Sequence, residues 1–228
     1  MNKTGSKVLV AALAFGLSGL AACGDEEADK VETITSAVVL TASPADPAAF
    51  CRSSGLNVII GTSNNDVING TAAADCIVGL GGQDRINGMG GNDIIFGGEG
   101  DDVLMGGDGD DQIFGGGGQD NLSGGAGNDR LFGEDGDDVI MGDAGNDFLS
   151  GGQGQDRLFG GAGNDMLAGG SGDDRLDGGD GNDNLSDCVN HNVFIGGTGT
   201  NTCQGTRSGS SSSSLTGCQT IVACPAGS

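Results

Sequence analysis

The chain of 228 residues has no Trp, no Tyr and only 3 Pro. Phe is the sole aromatic, with 8 copies, and aromatics make up 4%. A compact enzyme core leans on such side chains, so an ordinary globular enzyme is disfavoured. Basic residues are also scarce: 9 Lys plus Arg stand against 32 Asp plus Glu, a net charge of −23. A nucleic-acid binder must neutralise phosphates, so that class is excluded. Gly is abundant, with 49 copies, yet it does not fall at every third position beside many prolines. That excludes collagen. Composition by itself points to disorder. The order of the residues points elsewhere.

Lys3 and Lys7 lead into the apolar run Val8 to Leu20. The run is short for a membrane span and has the grammar of an export signal. It ends Leu20-Ala21-Ala22-Cys23, which resembles the lipobox of bacterial lipoproteins. The resemblance implies cleavage before Cys23 and lipid on Cys23, with 1–22 as signal peptide. An ordinary secretory signal is the alternative. Several acyl chains on one residue anchor stably, where one is marginal. Gly24 stands where an Asp tends to hold enterobacterial lipoproteins at the inner membrane, so an outer-membrane or cell-surface position is expected. Residues 23–50 read as the lipidated Cys and a solvated tether, acidic from Asp25 to Glu32, with Pro44 and Pro47 near its end. Val31 to Leu40 has strand character.

From Gly61 to Ser186 the chain is fourteen nine-residue units without a slip. Position 1 is always Gly, from Gly61 to Gly178. Position 6 is always Asp: Asp66, Asp75, Asp84, Asp93, Asp102, Asp111, Asp120, Asp129, Asp138, Asp147, Asp156, Asp165, Asp174 and Asp183. Position 8 is always Ile or Leu, from Ile68 to Leu185. Position 4 is Gly in the twelve units from Gly82 to Gly181. A strict internal repeat predicts a stacked architecture. The Gly-rich first six positions read as a tight turn, and positions 7–9 as a short strand. One aliphatic residue per unit makes no core alone, but stacked units lay them into a ladder.

The unit resembles G-G-x-G-x-D-x-U-x, the nonapeptide of the RTX (repeats-in-toxin) calcium-binding family. Gly124 to Phe132 is a full match. The resemblance implies an all-β, right-handed parallel β-roll, two units to a coil. It also implies multiple Ca²⁺ ions between coils, held by the position-6 carboxylates and main-chain carbonyls. Asn64 and Ala73 replace Gly at position 4 of the first two units, which implies weak or absent sites there. Residues 61–186 hold 25 Asp plus Glu and four Arg, a net −21. About 12 inter-coil ions would nearly neutralise that charge. The roll is therefore expected to order on binding calcium.

Alternate units share a sheet on this reading. Phe96, Phe114 and Phe132 then form an outward ladder, with Ile94, Phe148 and Met166 on the same face. The ladder is read either as a contact for a protein, a surface polymer or the chain's own ends, or as plain cross-strand stacking. Gln83, Gln119 and Gln155 at position 5 mark a longer period of 36 residues. The ends are degenerate units. In 52–60, Asn57 and Ile59 take positions 6 and 8; after 186, Asn192 and Asn201 replace Asp, and Phe194 and Cys203 turn inward. Hence 51–60 and 187–228 are expected as caps, with Ser208 to Ser214 a loop.

Seven Cys less the lipidated Cys23 leave Cys51, Cys76, Cys188, Cys203, Cys218 and Cys224. An even count in an exported chain points to disulfides. Cys51 is expected to pair with Cys76, while the four at the back share two bonds in an open order. No nucleophile–base constellation surrounds the lone His191, and no phosphate loop occurs. The expected function is a non-enzymatic, calcium-binding, lipid-anchored surface protein, structural or adhesive. The alternative is a calcium-dependent secretion or folding module, or an exported toxin or hydrolase relative.

Overall fold

The computed structural model describes residues 44–187, 191–205 and 214–223. Residues 1–22, expected as an export signal, Cys23, the Val31–Leu40 stretch, Cys188 and Cys224 lie outside the described residues. Among the described residues no helix is long and apolar enough to cross a membrane.

The chain winds into a parallel β-solenoid of about eight turns. Among the described residues, successive strands alternate between two sheets, one of ten strands and one of nine. All ladder pairs are parallel, and through the repeat each residue meets its counterpart two units on, as Ile59 meets Ile77 and Leu131 meets Leu149. Alternate units do share a sheet. Every strand from Arg85–Gly90 to Arg175–Asp180 has six residues. The expected three-residue strands are thus too short. Each runs through positions 7–9 and on into positions 1–3 of the next unit. Position 1 stays extended, and the turn shrinks to positions 4–6.

The glycines divide their labour accordingly. Position 2 kinks the strand with positive φ, as at Gly116 (φ 113°), and position 4 turns the chain, as at Gly118 (φ 131°). Leu80, Met89, Glu134 and Asp143 take the same left-handed backbone at position 2 without being glycine, with φ from 71° to 85°. Such residues carry strain that the stacked neighbours must impose.

The position-8 ladder is the core. Ile68 through Leu185 are buried, and Phe194 and Cys203 prolong the row into the degenerate units. Burying one such side chain contributes about 1.5–3 kcal/mol, so only the stacked row suffices.

A second, smaller core lies outside the ten-stranded sheet. Helix α1 (Pro47–Ser54) starts at Asp46, whose carboxylate accepts from the Ala49 N–H at 2.8 Å, and ends at left-handed Gly55. It begins inside the segment expected to be tether and crosses into the expected cap. Cys51 within it is bonded to Cys76, as expected. Phe50 meets Phe96 edge-on at 6.1 Å, and Phe96, Phe114 and Phe132 stack at 5.1 and 4.9 Å. Phe96 and Phe114 are only 2% and 1% exposed. The outward ladder is therefore not an open surface at its front: the chain's own N-terminal helix joins Phe96 in one cluster with Cys51 and Cys76. Farther along, the Arg130 guanidinium lies 5.0 Å from the Phe148 ring centre.

At the back, Cys203 is bonded to Cys218. Ser214 is not loop but opens the strand Ser214–Thr216, which pairs with Val193–Ile195.

Candidate metal centre

Position 6 sits where each turn hands over to a strand, so stacking aligns the invariant Asp residues along both edges. One carboxylate oxygen has a structural task. Asp102 Oδ1 accepts from the Asp84 backbone N–H at 2.7 Å, Asp120 Oδ1 from Asp102 and Asp138 Oδ1 from Asp120, both at 2.8 Å. The opposite edge repeats the pattern through Asp93, Asp111, Asp129 and Asp147. Asn192 and Asn201 extend both rows, accepting from Asp174 and Asp183 N–H at 2.8 and 2.7 Å.

The other oxygen is the informative one. Oδ2 of Asp84, Asp93, Asp102, Asp111, Asp120, Asp129, Asp138, Asp147, Asp156, Asp165, Asp174 and Asp183 is buried with no hydrogen-bond partner. A buried carboxylate oxygen left so is costly, and a repeated one demands a ligand or a proton. Each lies against the position-1 glycine of its own unit. A Cβ on Gly97 would stand 2.5 Å from Asp102 Oδ2 and 2.5 Å from the Gly115 carbonyl oxygen one coil on. Position 1 is glycine because two oxygens converge there.

Burial pushes these carboxyls upward. Asp93, Asp111, Asp120, Asp129 and Asp156 are raised to about 7, chiefly by desolvation, with neighbouring carboxylates adding to it and the backbone hydrogen bond opposing it. Asp102, Asp138, Asp147 and Asp165 are raised to about 6 for the same reasons. Among the described residues no three His, Cys, Asp or Glu side chains gather at one point. The available donors are one carboxylate per unit plus carbonyl oxygens, all hard oxygen. That set fits Ca²⁺ and suits neither zinc nor a soft metal.

The first two units differ. Asp66 Oδ2 accepts from Thr62 N–H and Oγ1–H at 2.6 and 2.9 Å, and Asp75 Oδ2 from Thr71 at 2.6 and 3.0 Å. Their second oxygens are already used. Beside the Asn64 and Ala73 that set these units apart in sequence, Thr at position 2 takes up the second oxygen in the structure. The opposite end closes similarly, because Asn201 Nδ2 donates to the Gly196 carbonyl at 2.5 Å. A neutral amide replaces the spare oxygen. Thr62 and Thr71 were legible in principle, since the twelve later units never have Thr at that position.

Position 5 lines the outside of each edge. Asn128, Asn146, Asn164 and Asn182 form a side-chain amide ladder at 3.0–3.1 Å on one edge. The other edge alternates Gln with Asp, and Gln83 Nε2 donates to Asp101 Oδ2 at 3.1 Å. The 36-residue period thus keeps like charges from stacking directly. His191 lies exposed on this edge, 3.5 Å from Asp173.

No curated protein matches the chain. A family model, the RTX calcium-binding nonapeptide repeat (4 copies), matches residues 53–86, 78–113, 87–122, 114–149 and 150–185. These matches run through more than half of the sequence and cover the aligned Asp rows, so the chain belongs to the RTX calcium-binding nonapeptide repeat family.

Proposed function

We propose that this is a non-enzymatic structural protein whose roll is completed by several calcium ions, anchored by lipid on Cys23 at the outer membrane or cell surface. The observation that carries the calcium part is the row of twelve buried Oδ2 atoms without partners, Asp84 to Asp183. Bound calcium would supply positive charge between coils. The residues do the rest: Oδ1 holds the coils in register, Oδ2 and the facing glycine carbonyl provide oxygen, and the leucine ladder excludes water. Without the ion, stacked carboxylates repel inside a poorly solvated edge. Ordering of the roll is then coupled to metal, and the weak affinities of extracellular calcium modules suit such a device. Anchoring is supported by Leu20-Ala21-Ala22-Cys23 alone.

Circular dichroism of the purified chain tests the calcium part. Chelator should abolish most of the β signal and added calcium restore it; a signal indifferent to chelator rejects the reading. For anchoring, Cys23→Ser should move the protein out of the membrane fraction. If that variant stays membrane-bound, the lipid reading fails.

A further inference from the structure

From Gly61 onward, one position-1 residue breaks the rule that glycine faces the carboxylate. Asp187 opens the unit after Ser186, at the end of strand Asn184–Asp187. Strand Asn184–Asp187 pairs directly with Met166–Ser171, which contains Gly169. Elsewhere along the roll, the point beside a position-1 glycine is approached by its own unit's Asp and by a carbonyl oxygen one coil on. At Gly169 a second carboxylate oxygen comes closer than any carbonyl. A Cβ there would collide with Asp187 Oδ2 and would lie 2.6 Å from Asp174 Oδ2. Two full carboxylates therefore converge on one buried point. Asp174 is 2% exposed and Asp187 is 4% exposed. Asp174 Oδ2 has no hydrogen-bond partner and is aimed into the same point.

We propose that Asp174 and Asp187 form a two-carboxylate site for a hard divalent cation, distinct from the single-carboxylate sites and placed at the C-terminal end of the ladder. It rests on the calcium reading above and adds to it a site of different charge. The driving force is electrostatic. Two like charges meeting in a poorly solvated pocket repel strongly, and a cation between them turns that repulsion into attraction. Calcium affinity rises with the number of charged ligands, so this site fills first. Its position suits it to hold the last regular coil against the degenerate cap, where Asn192 and Asn201 replace the position-6 Asp.

The test is isothermal calcium titration of the purified full chain beside two variants. Asp187→Asn removes the charge and keeps the shape. Asp187→Gly restores the residue that the other units carry, so its fold is protected by the repeat's own pattern. The wild type should show one site at least about tenfold tighter than the rest. Both variants should lose that tight class, and Asp187→Gly should keep the total ion count. A wild type with one uniform class of sites overturns the proposal, as do variants that titrate like wild type. A wild type that takes no calcium at all rejects the broader reading as well, so the two failures are told apart.

Discussion

The coil built from 61–78 and the coils that follow use the same Asp at the same position, yet they treat its second oxygen in opposite ways. In the front coil, Thr62 and Thr71 donate to the second oxygen of Asp66 and Asp75, Asn57 donates to Asp75 Oδ1, and Cys51–Cys76 ties α1 across the sheet. From Asp84 to Asp183 the second oxygen is left without a protein donor. The backbone N–H and the hydroxyl of a Thr at position 2 together satisfy the oxygen that the later coils leave over. The front coil satisfies its own carboxylates, and the middle of the roll leaves one buried carboxylate oxygen per unit without a protein donor.

The largest effect expected from this contrast is in hydrogen exchange. Under chelator, amides of the strands from Arg85–Gly90 to Arg175–Asp180 should exchange orders of magnitude faster, while those near Cys51, Cys76 and Ile77 keep most of their protection. Equal loss along the whole chain would erase the distinction between the regions.

Acid offers the next largest effect. The middle carboxyls are raised to about 6–7 in the roll, while an unfolded Asp titrates near 3.9. The folded metal-free roll therefore binds more protons than the unfolded chain across that window. Its stability is greatest below about pH 4 and is lost as pH rises through 6–7. In chelator, lowering the pH from 8 to 5 should recover β signal in dichroism, and calcium affinity should fall over the same range. A metal-free chain that becomes less ordered on acidification to pH 5 would contradict the assignment of burial as the cause.

The smallest effect is the sharpest on the comparison itself. Thr71→Gly together with Ala73→Gly gives the second unit the pattern of its successors and frees Asp75 Oδ2. Calcium titration should count one additional ion per chain. An unchanged count would mean that something other than the threonine donor closes the front coil.

Much of this molecule was legible as sequence. A nine-residue period with Ile or Leu at position 8 leaves one way to bury those side chains, by stacking, and Ile68 to Leu185 form that row. The invariant Asp and Gly marked the edges, and their resemblance to the RTX nonapeptide implied oxygen ligands there. Cys51 with Cys76 followed from their place at one end. Other features depend on what lies one coil away, eighteen residues off, and no local reading contains that. The six-residue strands arise because position-1 glycine is extended against the next coil, not turned. The covering of Phe96 by Phe50 needs a helix docked on the sheet from outside the repeat. The meeting of Asp187 with Asp174 needs the registry of two strands and the corner between sheets. Sequence by itself determined the repeat and the core row, because periodicity dictates which residues share a face. Tertiary structure decided which carboxylate oxygens are used and which are left over, because that depends on the neighbour each coil receives when the coils stack.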